Sequence, residues 1–178
     1  MTSRRRYPSR PPRPSRRQRQ TVLWLLVLLI VALLRWWSPQ VPPAPPESLD
    51  EGLYRVERVV DGDTLELASG HRVRLIGADT PETVKPEHPV EPWGPEATKF
   101  TRQFVAGGEV RLQFDGPRTD KYGRVLAYVW VGDRMLNEEL LRAGLARAKT
   151  HYTYSPEVKR RFRRAEAEAQ SAGRGIWS

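Results

Sequence analysis

Between residues 53 and 76 the chain offers three short alternating runs separated by two glycine turns. "LYRVERVV" (53–60) meets Asp61-Gly62, "TLELA" (64–68) meets Ser69-Gly70, and "RVRLI" (72–76) follows. Alternation places successive side chains on opposite faces, and Asp-Gly between alternating runs is a strong hairpin signal. A chain punctuated in this way reads as short strands joined by turns. Two further runs of the same kind, "EVRLQFD" (109–115) and "RVLAYVWV" (124–131), bring the strands to five. Five short strands predict a small barrel or a sandwich.

Three helices interrupt and close this set. The first starts at Pro95 with Glu96 in its first turn, carries Ala97, Phe100 and Phe104 on one face, and stops at Gly107-Gly108. The second is predicted with Asn137 as its cap, Leu140 and Leu141 buried, and Gly144 at its end. The third has Ser155 as N-cap and Pro156 at its first position. Val158, Phe162, Ala165 and Ala169 share one of its faces, while Arg160, Arg161, Arg163 and Arg164 read as a solvated surface.

The strongly basic character sits elsewhere. Net charge is +9, but residues 1–35 hold nine of the 30 basic residues and no acid. That leaves 21 basic against 21 acidic residues, so residues 36–178 are formally neutral and any nucleic-acid site there must use local charge. Residues 1–20, rich in Arg, Pro and Ser, are expected to be a disordered cytoplasmic tail. Residues 22–34 are thirteen consecutive apolar positions, followed by Arg35, Trp36 and Trp37. A helix over 21–37 would run about 26 Å, slightly short of a hydrocarbon core of roughly 30 Å. Two readings remain: a membrane anchor, or the apolar core of a cleavable signal peptide. The sequence after residue 34 lacks the small residues of a cleavage site, which favours the anchor, with everything after residue 37 outside the cytoplasm. A cleaved segment would instead make the protein secreted. Residues 38–51 follow as a proline-rich linker, with five prolines in 38–50, and the folded domain occupies 52–178. There is no cysteine, hence no disulfide or thiolate metal site.

Charged residues at the strand ends suggest chemistry. Asp61 and Asp63 flank Gly62, which alone would be a turn. "RLIGADTPE" (74–82) carries Arg74, Asp79 and Glu82. Arg74 and Asp79 would face opposite sides of one strand, but a kink at Gly77 could re-aim them. "TDKYGR" (119–124) is a polar turn ending in Arg124. Phosphodiester hydrolysis needs a hard cation on oxygen ligands, a base for water, and cationic donors for a phosphorus centre gaining negative charge. Asp63, Asp79, Glu82, Arg74 and Arg124 supply all three. The same residues could equally be ion pairs on neighbouring strands.

Five stretches taken together, "DGDT" (61–64), "RLIGADTPE" (74–82), "WGPEA" (93–97), "TDKYGR" (119–124) and "GIWS" (175–178), resemble the staphylococcal nuclease family, in order and across residues 52–178. The resemblance implies an α+β fold, a five-stranded OB-fold barrel plus three helices. Here one N-terminal transmembrane helix would precede it. The resemblance also implies Ca2+-dependent hydrolysis of DNA and RNA with low sequence specificity, leaving 3′-phosphate and 5′-hydroxyl ends. By the same resemblance Asp63, Asp79 and the Thr80 carbonyl would hold the calcium, Glu82 would serve as base or position the water, and Arg74 and Arg124 would grip the phosphate. Lys121 and Tyr122 would meet a terminal phosphate. Tyr152 and Tyr154 would lie beside the base, although the interval after Gly144 is two residues longer than in the family pattern. Packing on the third helix is their alternative. A non-catalytic OB-fold module binding single-stranded nucleic acid is the competing function, and retention of all five charged site residues favours the enzyme. No protein partner is inferred, and a monomer is expected.

Overall fold

A computed structural model of the protein describes residues 28–30, 49–83 and 89–178. The chain divides into two compact units, Met1–Pro45 and Pro46–Ser178. In the first unit residues 28–30 are helical and exposed. The rest of the expected anchor over 21–37, the basic tail and most of the linker lie outside the described residues. Among the described residues no helix is long and apolar enough to cross a membrane.

The second unit is built on a meander. β1 (Gly52–Asp61) pairs antiparallel with β2 (Thr64–Leu67), which pairs antiparallel with β3 (Arg72–Leu75). β3 leads through a kink to β4 (Ala78–Asp79). β5 (Glu109–Gln113) joins the free side of β1, and β6 (Val125–Val131) joins β5. β6 also runs parallel to β3, with Val73 opposite Val125, and this pairing closes a five-stranded barrel. The barrel reading of the sequence is thereby chosen over the sandwich. β7 (Arg134–Met135) extends β6 as a short hairpin, and β8 (Arg147–Ala148) pairs with β4. α1 (Gly94–Phe104), α2 (Leu136–Arg142) and α3 (Pro156–Ser171) complete the unit, with a final 3₁₀ turn at Gly175–Trp177.

Leu65, Leu67, Val73, Leu75, Val110, Leu112, Ala127 and Val129 form the core, in the alternating pattern that a closed barrel imposes. β6 departs from that pattern because both its faces are covered. Tyr128 packs edge-on against Tyr154 and Phe162, and its hydroxyl donates to Asp115 Oδ2 at 2.9 Å. The same oxygen accepts from the Ser155 amide at 2.8 Å, and Ser155 Oγ caps α3 by accepting from Glu157 N–H, as its sequence position predicts.

Two expectations are corrected. Asn137 does not cap α2, which begins at Leu136 after an uncapped Met135. Its side chain is fully buried and ties β6 to the end of β3: Oδ1 accepts from Val129 N–H, and Nδ2 donates to the carbonyls of Ile76 and Ala127. On α1 Ala97 is buried and Phe100 and Phe104 stack on each other against the core, as the spacing predicts, and Gly94, Thr98 and Thr101 are buried as well. The polar 61–63 turn lies under this helix and needs hydroxyl partners more than aromatic ones. Finally, the arginines of α3 are not uniformly solvated. Arg161 pairs with Glu138 of α2, and Arg163 donates to Thr150 Oγ1.

Candidate active site

The site begins with the turn between β1 and β2. Gly62 is packed so closely that an added Cβ would lie 2.7 Å from Thr80 Oγ1 and 2.8 Å from Ala97 Cβ. Thr101 Oγ1 donates to the Gly62 carbonyl at 2.5 Å. Asp61 Oδ1 accepts from the Gly62 amide, from Thr98 Oγ1 of α1 and, at 2.6 Å, from Thr83 Oγ1. The turn is therefore a post. On one side it is nailed to α1; on the other it holds the residue immediately after Glu82.

Beyond the turn, Asp63 is buried. Its Oδ2 accepts from the Thr80 amide at 2.8 Å and from Thr80 Oγ1 at 2.9 Å, and Thr64 Oγ1 donates to its Oδ1. Burial pushes its carboxyl above the ordinary range, outweighing the opposing pull of Arg74 and the Thr80 hydrogen bonds, and the neighbouring Asp79 pushes the same way.

Arg74 and Asp79 meet as the kink allows. Gly77 adopts φ 75°, a left-handed conformation suited to glycine, between β3 and β4. The reversed facing lets Arg74 Nη2 reach Asp79 Oδ1 at 2.6 Å while Nη1 reaches Asp63 Oδ2 at 2.8 Å and the Ala78 carbonyl at 2.7 Å. Arg124 arrives from the start of β6. Its Nε and Nη2 both reach Asp120 Oδ2 at 2.7 Å, and Asp120 Oδ1 accepts the amides of Tyr122 and Arg124. Partial burial pushes the Asp120 carboxyl up, but these hydrogen bonds prevail and hold it below its ordinary value.

Asp63, Arg74, Asp79, Thr80, Glu82 and Arg124 all line one cleft of about 300 Å³, together with Asp61 and Arg72. A second cleft, of about 430 Å³, shares Arg74, Asp79 and Arg124 and adds Asp120, Lys149, His151 and Tyr152. Lys121 and Tyr122 sit in the exposed turn before Arg124, with Lys121 Nζ 4.9 Å from the Tyr122 ring centroid. The two late tyrosines separate: Tyr152 is exposed at the second cleft, whereas Tyr154 is 5 % exposed and packs against Tyr128 and Phe162, its hydroxyl donating to the Lys149 carbonyl. Two residues at the site escaped the sequence reading. Asp61 had shown only a turn signal. Lys149 lies in the lengthened interval after Gly144, and its Nζ is 3.1 Å from Asp79 Oδ2.

Among the described residues no cluster of three or more acids or histidines gathers around one point. The donors are nonetheless the hard oxygens that calcium or magnesium take, with the Asp63 and Asp79 carboxylates and Thr80 lining the same cleft. Asp63 in particular is a buried carboxylate whose local positive charge does not offset its burial. The donor set thus fits a hard divalent cation whose remaining ligands come from water and substrate.

Barrel order and cleft composition define an α+β domain of the OB type with a charged, open site. The family model described as "Staphylococcal nuclease homologue" matches residues 72–178, from β3 onward. Thermonuclease of Staphylococcus intermedius is 50% identical over 129 residues, covering 70% of this chain and 75% of that protein. Thermonuclease of Staphylococcus hyicus is 46% identical over 132 residues, covering 72% and 78%. Endonuclease YncB of Bacillus subtilis (strain 168) is 43% identical over 129 residues, covering 69% and 60%. The chain belongs to the staphylococcal nuclease family.

Proposed function

We propose that this chain is a nuclease that hydrolyses phosphodiester bonds of DNA and RNA with Ca2+ as its cation and little sequence specificity. The observation that carries the reading is the convergence of Arg74, Arg124, Glu82, Asp63 and Asp79 on one cleft from three separate segments of the chain. Each arginine is already oriented by a carboxylate, Arg74 by Asp63 and Asp79 and Arg124 by Asp120. Their donor geometry is set before substrate arrives, which is what stabilises developing negative charge at little reorganisation cost.

Arg74 and Arg124 grip the non-bridging oxygens of the scissile phosphate. Glu82 accepts or orients the proton of the attacking water. Its backbone is held by the Glu91 carboxylate on its own amide and by Asp61 on the neighbouring Thr83. The water oxygen bonds to phosphorus as the bond from phosphorus to the 5′ oxygen breaks, and that oxygen takes a proton from solvent, leaving a 3′-phosphate and a 5′-hydroxyl. Asp63, Asp79 and the Thr80 carbonyl would hold the cation, which supplies further positive charge beside the phosphate. Lys121 and Tyr122 suit a terminal phosphate, and exposed Tyr152 offers a base-stacking face that tolerates any base. No element of the described domain is disposed to read base edges in the major groove.

The N-terminal segment 21–37 is read as a tether that holds the domain outside the cytoplasm as a monomer. The test is cleavage of plasmid DNA and of RNA by the 178-residue chain with calcium, with magnesium, and with chelator. Calcium should support cleavage, and magnesium should support little, since its tight octahedral demand suits a partial oxygen set poorly. Full activity with magnesium in a calcium-selective chelator would sink the metal assignment, and binding without cleavage in any metal would sink the enzyme. Membrane fractionation with protease added outside tests the tether.

A further inference from the structure

Lys149 has no part in the reaction described above, yet it holds one of the carboxylates on which that reading depends. Arg74 occupies Asp79 Oδ1 at 2.6 Å, and Lys149 occupies Oδ2 at 3.1 Å, so Asp79 carries a cation on each oxygen. The two contacts are unlike. Arg74 is mostly buried and is also fixed by Asp63 and the Ala78 carbonyl. Lys149 and Asp79 are 39% and 38% exposed, and among the described residues Asp79 is the one ion-pair partner of Lys149. The root of Lys149 is anchored, its amide donating to the Gly77 carbonyl at 2.9 Å in the β4–β8 ribbon. Its ammonium, at the end of four methylenes, is held by that single contact. The residue lines the same cleft as Arg74, Arg124 and Tyr152.

We infer that Lys149 is a transferable counter-ion: it neutralises Asp79 before substrate binds and turns to a phosphate of the nucleic acid when cation and substrate fill the cleft. The inference rests on the reading of Asp79 as a cation ligand. Release is cheap, because an ion pair this exposed contributes little. Staying is not, because a second cation brought to the same carboxylate repels the ammonium strongly near a protein surface. The released ammonium remains in a cleft occupied by phosphates, which lysine binds as a mobile point charge. Lys149 therefore opposes the cation when nucleotide is absent and favours the nucleotide once the cation is in place. That is a positive coupling between the two ligands.

Calorimetry on the 178-residue chain tests it, titrating Ca2+ alone and a nucleoside 3′,5′-bisphosphate with Ca2+ present. Lys149→Met should tighten calcium alone about two- to fivefold and weaken the bisphosphate by a similar factor. Lys149→Arg should restore bisphosphate affinity. Arg147→Gln controls for a general field effect, since it removes a charge from the same strand whose guanidinium lies 4.5 Å over the Trp177 ring. Equal shifts in Arg147→Gln, or an unchanged or weakened calcium affinity in Lys149→Met, overturn the inference. A lysine that merely braced the ribbon would weaken both ligands together and lower the melting temperature. Asp79→Asn separates the levels: wild-type calcium affinity in that variant would overturn the ligand assignment itself.

Discussion

Replacing Asn137 with alanine should cost about 2–6 kcal/mol of folding stability. The figure follows from what the side chain holds. Val129 N–H and the Ile76 carbonyl lose the partner that Asn137 provides, whereas the Ala127 carbonyl keeps the Ile76 amide at 3.1 Å. Two buried polar groups are thus orphaned, at roughly 1–3 kcal/mol each. A domain of this size has only about 5–15 kcal/mol in total, so the melting temperature should fall by about 10 °C or more. Chemical denaturation with an unchanged m-value is the assay. Asn137→Asp sharpens it. The introduced carboxyl, ionised, accepts from Val129 N–H but faces the Ile76 carbonyl with no donor; protonated, it can donate. Its folded pKa must therefore be raised, so its stabilising contribution is present at low pH and lost as pH rises through that folded value. The aspartate variant should approach wild type near pH 4 and fall away toward pH 8. A loss below about 0.5 kcal/mol for the alanine variant, or a flat pH profile for the aspartate, would refute the reasoning.

Glu82→Gln should lower turnover by about 10²–10⁴-fold with little change in calcium affinity, since it removes a base and not a proposed ligand; steady-state kinetics with calorimetry checks both. Arg124→Lys keeps charge but loses the two-pronged fork held by Asp120, so kcat should fall more than KM rises. The Asp63 carboxyl is raised by burial, so its ionisation opposes folding. In chelator, Asp63→Asn should therefore be more stable than wild type near pH 7, and the advantage should vanish as pH falls below the unfolded aspartate value of about 4. Denaturation midpoints across pH measure this, and an advantage that grows on acidification would contradict it.

The five barrel strands were legible because each is long enough to show alternation and each ends at a turn with its own chemistry. β4, β7 and β8 were not, because two residues carry no period. Asn137 misled because a polar residue before an apolar run is a local cap signal, whereas its partners lie 61, 10 and 8 residues away. Phe100 and Phe104 share a helical face as the spacing predicts, but it did not show that Thr98 and Thr101 beside them bond to the 61–63 turn. At the site, the strand-end charges and the order of the motifs pointed to one cleft, and the structure brings all five charges there together with Thr80. Asp61 and Lys149 stayed hidden for a shared reason. Their roles come from α1 and from the β4–β8 ribbon, contacts that no spacing in the sequence encodes.

The parallel contact between β3 and β6 also fixes when the site can exist. Val73 and Val125 are 52 residues apart, and such a closure is reached only after its loop entropy has been overcome. The local meander can form early and bring Asp63 to Arg74, since Thr64 and Arg74 pair across a single turn. Arg124 joins only with the closing strand, and Lys149 later still in the chain. A growing or partly folded polypeptide can therefore bring Asp63 and Arg74 together while Arg124 is still absent from the cleft.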